Sequence, residues 1–179
     1  MKEISTEIQN IECQETDKRR LVESVKRLLQ RICSKCQNEN YDIFSWKVID
    51  LSNDQMSHNF QCIIFTLKNF NNFYEIRGYI SSFQFFEYYA DVTYHSYKNY
   101  LWIQDNYVKS SEMHNKGIGS LGMECIKELA KQLNCTKIQG KVQPKNINDK
   151  DELQKLINFY RKNSFVYTEE THIVTFVLN

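Results

Sequence analysis

Three of the chain's five glycines fall within six residues, at Gly117, Gly119 and Gly122, and His114 and Lys116 stand just before them. An apolar helical spacing begins at Ile118, so the cluster opens a helix. A helix N-terminus presents N–H groups with no intrahelical partner and the positive end of the backbone dipole. Cations there are unfavourable unless an anion lies between them, and glycine removes the Cβ atoms that would hold a phosphate away from the backbone. These residue types suit a pyrophosphate cradle built from the backbone of 115–120. The plainer alternative is a loop–helix junction whose charges are simply solvated. Gly117-Ile-Gly119-Ser-Leu-Gly122 also spells the GxGxxG pattern of dinucleotide sites. That pattern needs its glycines directly after a strand and an acid about 20 positions on. Here eight residues follow Val108 before Gly117, and no acid follows Thr136–Val142 before Asp149. No GK[ST] occurs either, so the dinucleotide reading is the weaker one.

Other reactive groups are scattered. The six cysteines lie at 13, 33, 36, 62, 125 and 135, and Cys33-Ser-Lys-Cys36 is a lone CxxC without a second pair or a nearby histidine. A zinc site needs four ligands; helix-surface thiols are the simpler expectation, and no metal is expected. Cys62 and Cys125 fall in apolar patterns and read as core. The chain carries 23 Lys+Arg against 22 Asp+Glu, a formal net charge of +1, and its longest like-charge run is Lys18-Arg19-Arg20. That balance lacks the basic footprint of a nucleic-acid binder. The longest apolar stretch, Cys62-Ile63-Ile64-Phe65, is far short of the ~20 residues that span a bilayer. No signal-like segment opens the chain, so a soluble, cytoplasmic protein without a membrane partner is expected.

The elements that must position the cluster follow from periodicity. Residues 1–15 read as a polar arm or a first strand. Leu21, Val25, Leu28, Leu29 and Ile32 recur at helical spacing from Asp17 to about Cys36. Phe60–Leu67 and Glu75–Ser81 read as strands around a polar turn at Asn69–Asn72, and Phe83–Tyr97 as aromatic-rich extended chain or loop. Tyr100–Val108 is a strand. A helix follows from about Gly117 to Leu133, lined by Ile118, Leu121, Cys125, Leu129 and Leu133. Thr136–Val142 is a short strand. A last helix spans about Lys150–Asn163, opened by Asp149 and Glu152 as a capping box, and Ser164–Leu178 returns as a strand or hairpin. With 41% apolar residues, one proline and no linker, residues 1–179 read as a single α/β (α+β) domain: one mixed sheet flanked by helices.

Two motifs in order then stand out: Tyr100–Val108 leading to His114-Asn-Lys-Gly117-Ile-Gly119-Ser120, and Thr136–Val142 leading to Leu156-Ile-Asn-Phe-Tyr160-Arg-Lys-Asn-Ser-Phe165. Together they resemble the GNAT superfamily of acetyl-CoA-dependent N-acetyltransferases, with a strand, Q/R-x-x-G-x-G/A opening a helix, a strand, and a helix ending in Tyr before a short turn. The likeness covers about Phe60–Leu178 and is strongest over 100–165. Ile157–Tyr160 and the strand look most like the polyamine/diamine branch. His114 replaces the usual Gln or Arg, with its imidazole or backbone left to face a phosphate. Ser164 replaces the glycine of the terminal turn, with Asn163 offered as the left-handed residue. Gln104-Asp105 stands where that branch carries Glu-Asp.

The resemblance implies a mostly antiparallel sheet and acetyl-CoA (coenzyme A) as cofactor. It places the pyrophosphate on His114, Asn115, Lys116, Gly117, Ile118, Gly119 and Ser120. Tyr107 and Val108 would pair with the pantetheine arm, and Asn158 joins the cofactor set. Val108 N–H would face the oxyanion, Tyr160 would protonate the departing thiolate, and Asp105, with Glu87 and Glu75 behind it, would act as base. Tyr88, Tyr89, Tyr94 and Tyr97 could wall a cleft for the amine by cation–π contact. The expected reaction is direct attack by a primary amine, small-molecule or protein, on acetyl-CoA in a ternary complex; a homodimer is compatible with the family. The alternatives are a non-catalytic acyl-CoA- or partner-binding module of the same fold and a nucleotide-dependent oxidoreductase.

Overall fold

The computed structural model describes residues 15–51, 59–82, 85–144 and 149–178. The arm expected over residues 1–15 lies outside them as far as Glu15, where helix α1 (Glu15–Glu39) begins. Its stripe Leu21, Val25, Leu28 and Ile32 is buried against Cys62, Ile64 and Tyr79 of the sheet. Each such side chain contributes roughly 1.5–3 kcal/mol, which explains why a helix so rich in charge stays docked.

The sheet has eight strands in the order β1-β2-β3-β4-β5-β6-β8-β7. They are β1 (Asp42–Asp50), β2 (Phe60–Phe70), β3 (Phe73–Ile80), β4 (Phe86–His95), β5 (Tyr100–Val108), β6 (Lys137–Lys141), β7 (Val166–Thr168) and β8 (Ile173–Val177). Only β5 and β6 run parallel; every other pairing is antiparallel. The expected mixed, mostly antiparallel sheet with helices on its faces is therefore the observed one. Two corrections apply. The segment Phe83–Tyr97, expected as extended chain or loop, contains the central strand β4. β1 is a further strand with no counterpart among the expected elements.

Helices α2 (Ile118–Gln132) and α3 (Lys150–Lys162) belong to the face opposite α1. The core there joins Ile63, Phe65, Tyr88, Leu101, Met123 and Ile157. The Asp149 side chain accepts the Glu152 N–H at 2.8 Å and opens α3 as expected. The helix closes differently from expectation. Asn163 sits at φ −92, and Ser164 is the left-handed residue at φ 67. Phe165 N–H reaches the Tyr160 carbonyl at 3.0 Å and Ser164 N–H reaches that of Arg161 at 2.9 Å, the Schellman pattern.

Left-handed backbone is mostly the work of asparagine in this chain. Among the described residues six asparagines, Ser164 and His172 take φ between 49 and 74. Asn71 and Asn72 form the two-residue turn between β2 and β3, where a primed hairpin turn demands positive φ at both positions. That is how the fold manages with five glycines.

The feature that positions the site is a bulge in β5. Asp91 pairs with Asp105, but the next pair is Val92 with Ile103, so Gln104 is the extra residue. Side-chain parity inverts across it. Leu101 and Ile103 face α2 before the bulge; Asn106 and Val108 face α2 after it, and Asp105 and Tyr107 are turned to the α1 face. The β5–β6 pairing also ends here, at Ile103 and Gly140. From Gln104 onward the two strands splay apart.

Candidate active site

The hydrogen bond from Lys109 N–H to the Glu87 carbonyl, 2.8 Å, fixes Tyr88 and Val108 as a non-hydrogen-bonded pair of β4 and β5. The backbone groups of Val108, and by alternation those of Asn106, therefore point away from β4 into the splay. Those of Tyr107 pair with Tyr89. Of the two residues expected to offer backbone to a pantetheine arm, only Val108 turns it to the open side. Two of the four groups there are already engaged. Asp105 Oδ1 accepts the Asn106 N–H at 2.9 Å, and the His114 ring meets the Val108 carbonyl at 3.1 Å. A carbonyl only accepts, so Nε2 is the protonated nitrogen of His114. The His114 imidazole thus faces the strand end. Val108 N–H and the Asn106 carbonyl have no partner among the described residues.

The N-terminus of α2 lies next to this strand end. Leu121 N–H bonds the Gly117 carbonyl at 3.0 Å as the first rung of the helix; the N–H groups of Ile118, Gly119 and Ser120 come before it. Gly117 caps the helix at φ 81 without a side chain, and a Cβ there would find nothing within 4 Å. Left-handed backbone, free amides and open space fit an anion. Ile118 is fully buried, so only its N–H is on offer. Asn115 is exposed at φ 61. Lys116 reaches across to the Leu51 carbonyl, 3.2 Å from Nζ.

Tyr160, on the last turn of α3, is 8% exposed and packs edge-on against Phe159 and Phe165. Burial lifts the phenol above its usual range; the Asn106 amide pulls it down and the charge of Asp105 lifts it again. A second phenol, Tyr88, is completely buried beside it, pushed well up by burial and then by Cys125 and Tyr160. The nearest thiol is no nucleophile: burial pushes Cys125 up to about 12. Asn158, by contrast, is exposed on α3 and accepts from Gln154 at 2.9 Å; it is not joined to the cradle.

The α1 face of the same strands carries the carboxylates. Glu75, Asp91 and Asp105 are direct cross-strand partners on β3, β4 and β5. Like charges so placed repel. Arg77 bridges Glu75 and Glu39, and Tyr41 donates to Glu75. Asp91 takes the Tyr89 hydroxyl at 2.8 Å on Oδ2, and its buried Oδ1 has no hydrogen-bond partner among the described residues. Tyr89 and Tyr107 stack beside this row at 5.3 Å. Of the aromatic set expected, Tyr89 stands by the carboxylates, with Tyr107 beside it; Tyr88 is core and Tyr97 is 98% exposed in the turn beyond β4. Glu87 is buried at the start of β4. The residues missed from sequence are Asp91 and Asn106, because bulge and register bring them to the site.

Burial holds the Asp91 carboxyl above its usual range, with Glu75 and Asp105 adding to it against Tyr89 and Arg77. The native state then binds this proton more tightly than the unfolded chain does, so stability is lost as pH rises from the ordinary carboxylate value through the raised one. Asp91→Asn keeps an acceptor for Tyr89 and removes that loss. The variant is expected to melt above wild type at neutral pH, with the gap closing below about pH 4. A gap constant across that range in thermal melts would contradict the assignment.

Among the described residues no cluster of His, Cys, Asp and Glu could hold a metal ion, and no helix is long and apolar enough to cross a membrane. Cys33 is exposed; Cys13 and the Cys36 side chain lie outside the described residues. A groove of about 970 Å³ between α1 and the ends of β2 and β3, lined by Arg20, Arg27, Arg31 and Gln61, shares no residue with the site.

No protein-family model matches the chain, and no curated protein does. Solved structures do. The chain is similar to nourseothricin acetyltransferase, with a TM-score of 0.50 at 15% identity over 78% of this chain and 88% of that one. It is also similar to a protein from Desulfovibrio desulfuricans described as an acetyltransferase of the GNAT family, with a TM-score of 0.48 at 8% identity over 59% of this chain and 69% of that one. The first likeness shows a shared fold, that of nourseothricin acetyltransferase.

Proposed function

We propose that the chain transfers an acetyl group from acetyl-CoA to a primary amine, both bound together. The observation that carries this reading is the convergence at the β5–β6 splay. A strand end whose N–H has no partner among the described residues, a helix N-terminus opened by a left-handed glycine, and the buried phenol of Tyr160 meet there. The fold shared with nourseothricin acetyltransferase supports it.

Acetyl-CoA would supply an acyl group activated as a thioester. The amides of 115–120 would hold its pyrophosphate, and Val108 N–H and the Asn106 carbonyl would pair with its arm or acyl oxygen. Tyr160 would keep a proton at Oη for the leaving sulfur. An ammonium must lose a proton before it can attack. Asp91, with its raised pKa, and Asp105 across from it are the carboxylates placed to receive that proton from the α1 face. The row Glu75, Asp91, Asp105 with Tyr89 and Tyr107 beside it would favour an acceptor bearing more than one cationic group, as the likeness to polyamine acetyltransferases implies.

Calorimetry with acetyl-CoA is expected to show saturable binding, and a panel of primary alkylamines should release CoA thiol from it. Wild-type protein without acetyl-CoA binding would sink the proposal. Binding without thiol release across the panel would favour a non-catalytic acyl-CoA-binding module.

A further inference from the structure

We infer that the groove between α1 and the ends of β2 and β3 is a binding site for an extended acidic peptide, separate from the candidate active site.

Both walls of the groove present hydrogen-bond donors. On the α1 wall Arg20, Arg27 and Arg31 recur at i, i+7 and i+11, along one side of the helix. The other charged group lining the groove, among the described residues, is Asp17, 3.8 Å from Arg20. Arg31 donates to the Ser81 carbonyl at 3.4 Å, so one guanidinium reaches from helix to sheet. The sheet wall is a hydrogen-bonded chain with a set direction. Cys62 N–H donates to Ser81 Oγ at 3.1 Å, the Ser81 hydroxyl to Gln61 Oε1 at 2.6 Å, and Gln61 Nε2 to Asn59 Oδ1 at 2.8 Å. Because a backbone N–H only donates, the sense of each later bond follows, and the chain ends on the Asn59 NH2 group. The Asp50 carboxylate nearby is engaged by the Asn59 N–H at 3.0 Å and does not line the groove. A space of about 970 Å³ with guanidinium forks on one side and an amide donor on the other suits an anion.

The spacing selects which anion. Arg20 to Arg31 spans about 16 Å of helix axis, a spread that one compact phosphate group does not fill. An extended peptide rises about 3.3 Å per residue, so about five residues cover that length and alternate side chains fall on one side about 6.6 Å apart. Arg27 and Arg31 stand about 6 Å apart along the axis. Carboxylates at alternate positions meet the arginines, and the residues between them turn to Leu21 and Phe60, the apolar part of the lining. The chain as a whole carries a net charge of +1. Its positive charge is gathered locally here, which suits a short acidic segment rather than a long nucleic-acid backbone.

The test follows the fluorescence anisotropy of a labelled decapeptide of alternating Glu and Val. Saturable binding is expected, weakening as salt is raised, with the Gln–Val analogue at least about tenfold weaker. Arg20→Gln combined with Arg27→Gln, both exposed positions, should lower affinity about tenfold. Asn59→Asp keeps the acceptor for Gln61 and turns the donor end of the wall into a negative charge; it should weaken binding about fivefold or more. Thermal melts report that the variants stay folded, and their acetyl-CoA affinity should stay within about twofold of wild type. Four results would overturn the inference: no saturation by the acidic peptide, equal affinity in the double arginine variant, tighter binding of tripolyphosphate or a thymidine oligonucleotide than of the peptide, or acetyl-CoA affinity falling together with peptide affinity. The peptide measurements do not depend on acetyl transfer, so a protein that transfers nothing leaves them standing.

Discussion

Gly122→Ala is expected to destabilise the protein by about 3 kcal/mol, the upper end of the usual cost of overpacking a core. A Cβ at 122 would lie 2.0 Å from Tyr88 Cζ and 2.5 Å from its hydroxyl. The ring has no retreat. Tyr88 is fully buried, stands edge-on to Phe65 at 5.6 Å, and its own Cβ lies 2.9 Å from where a Cβ on Gly78 would sit. Alanine returns about 1 kcal/mol of helix propensity, far less than the clash removes. The neighbouring glycines give a graded control. A Cβ at Gly119 meets the edge of the half-buried Phe159 ring at 3.0 Å and Val108 Cγ2 at an ordinary 3.8 Å, so Gly119→Ala is expected to be close to neutral. Gly117 has room but a left-handed backbone, so Gly117→Ala should cost about 1 kcal/mol. Urea unfolding of the three variants tests the order. Gly122→Ala within about 1 kcal/mol of wild type would mean that α2 rides higher on β4 than described.

Tyr160→Phe should cut turnover by about 100-fold or more, the ordinary worth of a positioned general acid, and leave acetyl-CoA affinity nearly unchanged. The substitution keeps the ring against Phe159 and Phe165 and removes only an oxygen. Because the phenol is held above its usual range, it is protonated at neutral pH and is loaded for its task. Full turnover by the variant would end the acid assignment.

Much of this was legible in sequence where one face of an element is buried. The stripes of α1, α2 and α3 and the apolar runs of β2, β5 and β8 announce themselves because each has a single core to satisfy. β4 does not. Phe86-Glu-Tyr-Tyr-Ala-Asp-Val-Thr-Tyr-His alternates poorly: a register irregularity lies at Phe86–Tyr88, the buried side chains include Glu87, and both faces carry aromatics. β1 is half exposed along its length and shows no clean period. The glycine cluster and Tyr160 could be found because the cradle and the helix end are local in sequence. Asp91 and Asn106 could not. Their roles depend on one extra residue in β5 and on charges brought from three strands, and no local pattern encodes either.

The divergence of β5 from β6 has a consequence for the protein when it is empty. Among the described residues it is an unpaired strand edge in the middle of a sheet, the kind of surface on which another chain can add a strand and begin an aggregate. The chain guards it as outer edges are guarded. Asp105 occupies one amide, His114 occupies one carbonyl, and the bulge bends the strand out of the flat form that a docking strand requires. The same few residues thus oppose strand addition at this edge, and substitutions at 104–108 are expected to raise the tendency to aggregate as well as to alter the site.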